Sequence, residues 1–518
     1  MGNRRIAANA IFTASHSLIA MLCGLFAGRW LLNALGMEGF GALSVVGGLM
    51  SFILLFNNVL TSSASRHFAY AIGKSEKMSE GERIVTMGEW FAASFFVHVA
   101  LSLLLCGIGV IVGEWYIAKK LIVIEELRGQ CFWVFRFALI SAFFAIISAP
   151  YFALYEARQM IFVRTVFSIG ATILNAAGTY ALFFFTSQRL FFHSLIAVSI
   201  QIFTTIAIIM FATFHFPETH RLFMGTKRKY FKSLFAFGGA QMFGIFANMV
   251  RDQGNALVIN LFSGAKANAG WGIGRQVTSK ASFFATATMG AILPEVTTCL
   301  SSGRRERAFN IAEKLNLFVP ASYTLVIFPV LVNLHAILHL WLGSVPIYAA
   351  EFCGVTLFYM YIDALTGGYQ QLINANGKIL SYQLSMGIAV ASSVLVVTLF
   401  CKLDFPIDRA IVLGILVTTI LTIPLRLLFM KYLFGVLLVN QWLRRCFIPN
   451  IFSLVVSFAV CYFSRRAIGS GLWQFCALGV INVLFVGLSI FLLASCDNRD
   501  FMLRYICKFL RRFGLAKQ

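Results

Sequence analysis

Two long apolar stretches in the middle of the chain, residues 231–262 and 267–293, carry polar side chains at helical spacing. In the first stretch, one arc of about 100° holds Gln241, Gly244, Asn248, Arg251, Asp252 and Asn255. In the second stretch, one face holds Asn268, Gly272, Arg275, Ser279, Ser282 and Thr286. Each arginine at bilayer depth costs on the order of 3 kcal/mol by insertion scales, so such residues mark a pathway for a polar ligand.

The chemistry that these two faces offer is the binding of an anion. Arginine donates two parallel hydrogen bonds to a phosphate, so Arg251 and Arg275 favour an anionic substrate. Two other interpretations stay open: Arg251 and Asp252 form an internal ion pair, or Arg275 anchors its helix at the membrane interface. Lys280 points away from the face that holds Arg275 and fits a binding role less well.

Three further features of the apolar stretches have two interpretations each. Arg29 and Arg136 lie near the outer ends of their stretches, where they either face the pathway or extend to the interface. Asp363 is either a hydrogen-bonding group between helices or a site for a proton or cation. A stripe of small polar residues either packs between helices or lines a water-filled cavity; its members are Ser44, Gly47, Ser51, Asn58, Ser62 and Ser65.

The composition is that of a membrane protein rather than a soluble enzyme. The chain is 59% hydrophobic and 12% charged, with 54 Phe and a mean hydropathy of +0.83. It contains no nucleophile beside a base, no glycine-rich phosphate loop and no metal-ligand spacing, and its 11 Cys form no CxxC pair. We therefore predict no enzymatic activity, no cofactor and no metal site.

About fourteen apolar stretches are long enough to cross a bilayer. They lie near residues 7–33, 41–71, 84–112, 131–155, 160–186, 190–214, 231–262, 267–293, 308–333, 346–373, 379–401, 409–431, 446–463 and 473–495. Lys and Arg are roughly three times as frequent in the segments that this order places inside as in those outside. The bias predicts a multi-pass inner-membrane protein with both termini cytoplasmic. It also accounts for the net charge of +22 without a nucleic-acid partner.

The seventh and eighth predicted spans repeat features of the first and second. The segment LLNALG (31–36) resembles VINLFSG (258–264), and AIGK (71–74) corresponds to SSGR (301–304). With six spans in each half the repeat is parallel, and substrate sites in such transporters lie between the repeats near the midplane. We predict an all-α fold with two six-helix lobes, 1–218 and 219–435. Residues 436–518 add two helices and a basic amphipathic tail.

Long stretches of both halves resemble a known family. They read RRIAANAIFTASHSLIAMLCGLFAGRWLLNALGMEGFGALSVVGG in the first half and RDQGNALVINLFSGAKANAGWGIGRQVTSKASFF, ILPEVTTCLSSGRRE, WLGSVP and YIDALTGGYQQLINANGKILSYQ in the second. The family is the polysaccharide-biosynthesis flippases of the MATE-like (MOP) superfamily, the relatives of Wzx-type O-antigen flippases. The resemblance extends over residues 4–435 and is weaker beyond them.

The resemblance implies two lobes around a central cavity that opens alternately to the two sides of the membrane. The implied substrate is an undecaprenyl-pyrophosphate-linked oligosaccharide whose lipid tail stays in the bilayer. Cationic cavity residues in such flippases are thought to bind the pyrophosphate, and Arg29, Arg251 and Arg275 are the positions here that match. The predicted substrate site further includes Gln241, Asn248 and Asn255.

The expected function is flipping of this substrate for O-antigen, capsule or exopolysaccharide synthesis. The expected partners are membrane lipids and other polysaccharide assembly proteins, and the expected state is a monomer. Drug exporters of the superfamily often use an acid in the first helix, and this helix has none, because Glu38 lies in the following loop. Asp252 and Asp363 therefore remain as candidates for H⁺ or Na⁺ coupling.

Two alternatives to flipping stay open. A cation-coupled multidrug exporter of the MATE type is disfavoured by the excess of arginine over acid within the spans, because such an excess suits an anionic substrate. A membrane-bound glycan polymerase or ligase is disfavoured further, because it needs a long outer loop with catalytic residues and no predicted outer loop is long enough.

Overall fold

The computed structural model shows an all-α polytopic membrane protein. It describes residues 2–74, 79–158, 160–221, 228–376, 380–436, 438–467, 472–495, 497–500 and 502–503, and no strand occurs among them. The helices of the first part are α1 (Gly2–Lys74), α2 (Glu80–Lys119), α3 (Glu125–Ala157), α4 (Ile161–Ala181) and α5 (Arg189–His215). A 3₁₀ turn, Leu182–Phe184, follows α4, and another, Pro217–Arg221, follows α5.

The later helices extend to residue 493. They are α6 (Arg228–Ser301), α7 (Arg305–Val332), α8 (Leu334–Leu342), α9 (Ala349–Ala364), α10 (Gly367–Asn376), α11 (Leu380–Lys402), α12 (Ile407–Phe434), α13 (Val439–Trp442), α14 (Ile448–Ala467) and α15 (Leu472–Leu493). A π-helical turn, Leu443–Phe447, joins α13 to α14. Each of the predicted spans overlaps one or two helices of this series, and α1 and α6 each contain two predicted spans.

Nine helical segments of the described chain are long and apolar enough to cross a membrane on length and composition alone. Helix α6 is not among them. The span predicted near 346–373 is divided into α9 and α10 by Leu365 and Thr366.

Helices α1 and α6 are each bent at a single glycine. Gly36 has φ 69° and ψ 176°, and Gly264 has φ 74° and ψ −174°. Only glycine adopts this conformation without strain, so the residue type is required at both positions. The two glycines end the segments LLNALG and VINLFSG, so the sequence repeat is also a repeat of backbone conformation. Each bend divides its helix into a first arm (2–35 and 228–263) and a second arm (37–74 and 265–301).

The chain divides into two compact units. The first comprises Met1–Gly272, Trp341–Ala349 and Val397–Ile407, and the second comprises Ile273–Leu340, Ala350–Val396 and Asp408–Gln518. In the first unit, buried side chains of α1, α2, α3 and α5 form the core at one end, and those of α1 to α6 form it at the other. In the second unit, the core surrounds α7, which packs against α10, α14 and α15. The lobe boundaries at residues 218 and 435 stay a prediction.

Candidate functional site

The second arm of α1 packs against the first arm of α6 within the first unit. Ser63 Oγ donates to the carbonyl of Leu234 at 2.8 Å, and Gln253 Nε2 donates to Ser51 Oγ at 3.2 Å. Rising residue numbers in α1 therefore meet falling numbers in α6, so the two arms are antiparallel. The hydrogen bond at Ser51 supports one of the two interpretations of the stripe of small polar residues, namely packing between helices. The side chains of Asn58 and Ser62 lie outside the described residues.

The bend of α6 is fixed by the residues around it. A Cβ on Gly41 would lie 1.8 Å from the carbonyl oxygen of Ala265, so the two backbones touch there. Asn260 is fully buried, and its amide accepts from the backbone N–H of Ile122 and donates to the backbone carbonyl of Ile122, both at 3.0 Å. These contacts tie the segment around Gly264 to α1 and to the loop between α2 and α3.

Arg251 and Asp252 form an ion pair on the first arm of α6. Arg251 Nε donates to Asp252 Oδ1 at 2.9 Å, and the two side chains are only 12% and 15% exposed. Neighbouring residues on a helix do not face each other, so the arginine side chain must curve back to reach the acid. Trp271 Nε1 donates to the carbonyl of Asp252 at 3.3 Å and so ties the pair to the second arm of α6. The internal ion pair considered from the sequence is present.

Two buried asparagines lie beside this ion pair. Asn268 Nδ2 donates to the carbonyl of Ala256 at 2.6 Å, which places Asn268 next to Asn255 across the two arms of α6. Asn255 is 1% exposed and Asn268 is fully buried, and the Oδ1 atom of each has no hydrogen-bond partner among the described residues. A buried acceptor without a donor is costly, which makes this segment unusual for a purely structural helix.

The other predicted substrate residues of α6 lie in different surroundings. Asn248 is exposed on the first arm. Arg275 belongs to the second unit, where it is half-buried on the second arm, as is Lys280. The second arm is fixed within that unit by Thr278 Oγ1, which donates to Thr356 Oγ1 of α9 at 2.7 Å. The side chain of Gln241 lies outside the described residues.

Arg29 and Arg136 have different environments from the residues of α6. Arg29 is exposed on the first arm of α1. Arg136 Nε donates to Glu114 Oε1 at 2.8 Å, with side chains 46% and 32% exposed, and its guanidinium lies 5.5 Å from the ring centroid of Trp133. An exposed pair of this kind near a helix end suits an anchor at the interface.

Asp363 is paired with a buried arginine that sequence reasoning did not select. Arg426 Nη2 donates to Asp363 Oδ1 at 2.7 Å, and Nη1 donates to the carbonyl of Asp363 and to Thr366 Oγ1, both at 2.9 Å. Arg426 Nε donates to the hydroxyl of Tyr382 at 3.3 Å. The arginine thus binds the carboxyl end of α9 where the helix stops, as helix termini favour. The sequence feature that could have identified Arg426 is its position as an arginine within an apolar span.

The structure brings together part of the predicted site. Arg251, Asp252 and Asn255 form one buried polar cluster with Asn268 and Trp271 in the first unit. Asp363 belongs to a second cluster, with Arg426, Thr366 and Tyr382, in the second unit. Both clusters contain an arginine–aspartate ion pair, but only in the α6 cluster do buried amide oxygens, those of Asn255 and Asn268, have no hydrogen-bond partner among the described residues. This difference makes the α6 cluster the candidate functional site.

Comparison with known proteins identifies the fold. No protein-family model matches the sequence, and no curated protein matches it. A multidrug resistance MATE family transporter of the MOP superfamily, in an inward-facing conformation, superposes with a TM-score of 0.65 at 12% identity, over 82% of this chain and 98% of that one. A lipid II flippase MurJ in an inward closed conformation superposes with a TM-score of 0.63 at 11% identity, over 95% of this chain and 99% of that one. The chain therefore shares its fold with a MATE transporter of the MOP superfamily and with a lipid II flippase.

Proposed function

We propose, from the transporter fold that this multi-pass membrane protein shares with the MOP superfamily, that it is a flippase. Its substrate would be an undecaprenyl-pyrophosphate-linked oligosaccharide for O-antigen, capsule or exopolysaccharide synthesis. It would carry the headgroup from the cytoplasmic to the outer leaflet by alternating access, in the bacterial inner membrane and with both termini cytoplasmic. The proposed state is a monomer that works beside other polysaccharide assembly proteins.

The observation that carries this proposal is how much of the chain each neighbour covers. The exporter covers 82% of this chain, close to the share of the two predicted lobes, residues 1–435 of 518. The lipid II flippase covers 95%, so its match must include part of the C-terminal region that holds α14 and α15. At least part of the C-terminal region is thus shared with a lipid II flippase.

The physics of the substrate explains why such a protein is needed. A sugar headgroup cannot cross about 30 Å of hydrocarbon without losing its hydrogen bonds to water. A polar path through the protein replaces those bonds. A pyrophosphate with about two negative charges moves outward with the inside-negative potential, which contributes roughly 4–5 kcal/mol per 100 mV. The membrane potential can therefore drive the loaded step.

The proposed substrate residues are Arg251, Arg275, Arg29, Asn248, Asn255 and Gln241. Arg251 Nε is bound to Asp252 in the structure, so a phosphate that binds at Nε replaces the carboxylate of Asp252. The amide oxygen of Asn255, which has no partner in the described part of the chain, is an acceptor for a sugar hydroxyl. We further propose that H⁺ or Na⁺ coupling, if it occurs, uses Asp252 or Asp363.

The second candidate function is a cation-coupled exporter of small molecules. The observation in its favour is the superposition on the MATE transporter, whose TM-score of 0.65 is slightly above that of the flippase. Against it, the acids of the two clusters, Asp252 and Asp363, are already bound to arginines. A cationic drug therefore meets no uncompensated carboxylate in either cluster.

The test is deletion of the gene followed by analysis of lipid-linked intermediates and drug sensitivity. Flipping predicts that undecaprenyl-linked oligosaccharide accumulates in the inner leaflet and that surface glycan is lost. The wild-type gene restores both, whereas Arg251→Ala and Arg275→Ala restore them poorly at equal membrane levels. Unchanged glycans with increased drug sensitivity would instead identify an exporter.

A further inference from the structure

Helix α7 contains two prolines, Pro320 and Pro329, each within the membrane-spanning part of the helix. Proline has no backbone N–H and cannot bond to the carbonyl four residues earlier. The carbonyls of Asn316 and Leu325 therefore lose their partners within the helix. In a membrane such groups must be satisfied by a neighbouring part of the protein.

Asn450 of α14 supplies the donor at the first proline. Its Nδ2 atom lies 2.8 Å from the carbonyl oxygen of Cys446 on its own helix, 3.3 Å from that of Asn316 and 3.2 Å from that of Leu317. Asn450 is fully buried, and its backbone carbonyl accepts from the hydroxyl of Tyr361 at 2.9 Å. The side chain thus lies against the carbonyl that Pro320 leaves open.

Asn482 of α15 does the same at the second proline. Its Nδ2 atom donates to the carbonyl of Leu325 at 3.3 Å and to that of Thr324 at 3.1 Å. Its Oδ1 atom accepts from Ser457 Oγ of α14 at 2.6 Å, and Asn482 is fully buried. One asparagine from each C-terminal helix therefore reaches a carbonyl that a proline has opened.

The first half of the chain provides a comparison. The separation of Gly36 and Gly264 makes α2 the counterpart of α7, and the sequence of α2 contains no proline. The first half also has no helices that correspond to α14 and α15, since the repeat uses residues up to 435. Of these two corresponding helices, α7 contains the prolines and contacts α14 and α15, whereas α2 contains none.

We propose that α14 and α15 are locked onto α7 through these two proline-opened carbonyls, so that the three helices form one rigid body. The asparagines donate to the carbonyls that the prolines leave open, and these carbonyls in turn hold the two C-terminal helices. The three helices keep their mutual geometry whenever the protein changes conformation. This inference concerns the fold and does not depend on which substrate is carried.

A double-mutant cycle tests the lock at the second proline. Asn482→Leu keeps the branching of the side chain and removes the donor, so it lowers the apparent melting temperature of the full-length protein. Pro329→Ala restores a backbone N–H for the carbonyl of Leu325, so Asn482→Leu costs less in that background, where only its bonds to Thr324 and Ser457 are lost. Ser489→Ala, a buried polar change on the same helix, costs the same in both backgrounds. Equal losses for Asn482→Leu in the two backgrounds would overturn the proposal.

A distance measurement tests the rigid body without altering the prolines. Spin labels at Ser322 of α7 and Val480 of α15, both exposed, are introduced into a cysteine-free protein in lipid vesicles. A single narrow distance is expected, and it should broaden when Asn450 and Asn482 are both changed to leucine. A broad or double distribution in the parent, or no broadening in the double variant, contradicts the lock.

Discussion

Arg426 binds both the carboxylate and the backbone carbonyl of Asp363, at 2.7 and 2.9 Å. The side chain of Arg426 is only 4% exposed, whereas that of Asp363 is 34% exposed. The charge of Arg426 is therefore buried, and that of Asp363 is partly exposed to solvent. The pair joins α9 to α12 at the point where α9 ends.

The two partners should respond differently to substitution. Asp363→Ala leaves a buried, uncompensated guanidinium and costs about 3 kcal/mol, the lower end for a buried pair, because the acid is partly exposed. Arg426→Met removes the buried charge and leaves only the partly exposed carboxylate of Asp363 without its partner, so it costs less. The apparent melting temperature measures both. Asp363→Asn is the control, since its amide oxygen still accepts from Arg426. A larger drop in melting temperature for Arg426→Met than for Asp363→Ala would show that the buried charge does not determine the stability of the pair.

Arg251→Ala should weaken binding of the lipid-linked pyrophosphate by roughly 10- to 100-fold, as expected for loss of charge-assisted hydrogen bonds. Binding to purified protein in vesicles measures this, and surface glycan in complemented cells gives a second readout. Arg136→Ala is the matched control, because that arginine is already paired with Glu114 in an exposed position. Equal binding by the Arg251 variant and the wild type would remove Arg251 from the substrate site.

Asp252→Asn should have the opposite effect on affinity. The change removes the carboxylate that occupies Arg251 Nε while keeping the shape of the side chain. A pyrophosphate then binds Arg251 without displacing an anion, so its affinity rises. The same binding assay measures the change, and Asp363→Asn in the second cluster serves as the control. Weaker binding by Asp252→Asn would show that the acid contacts the substrate or holds Arg251 in its binding position.

Gly41→Ala should destabilise the contact between α1 and the bend of α6. The added methyl group would lie 1.8 Å from the carbonyl oxygen of Ala265, so one backbone must move, at a cost of about 1–3 kcal/mol. Gly47→Ala is the control on the same helix, because a Cβ there has no atom within 4 Å. The apparent melting temperature and surface glycan of the two variants are compared. Similar values for both variants would show that the close approach at Gly41 does not contribute to stability.

Asn260→Leu should loosen the loop between α2 and α3. The substitution leaves the backbone N–H and carbonyl of Ile122 without their partners, at a cost of about 2–3 kcal/mol. Hydrogen exchange of residues 120–124 should rise by more than that of α2 itself. A variant with unchanged exchange in this loop would mean that other contacts hold it.

The spans and the polar residues of α6 were predictable from the sequence, because each depends on neighbours along the chain. Apolar length predicts the helices, and LLNALG and VINLFSG indicate a repeat, but the sequence suggested a loop with Glu38 where α1 continues as a helix bent at Gly36. The partners were not predictable in the same way. Arg426 and Asp363 are 63 residues apart, and Asn450 and Asn316 are 134 apart. No local pattern specifies such pairs, which depend on how the helices pack.

The shared conformation of Gly36 and Gly264 has a consequence for the origin of the chain. Six predicted spans separate the two bends, from the second arm of α1 to the first arm of α6. Because six is even, a half of this length inserts into the membrane in the same direction whether it stands first or second in the chain. Joining two copies of such a half end to end would therefore require no inversion of topology.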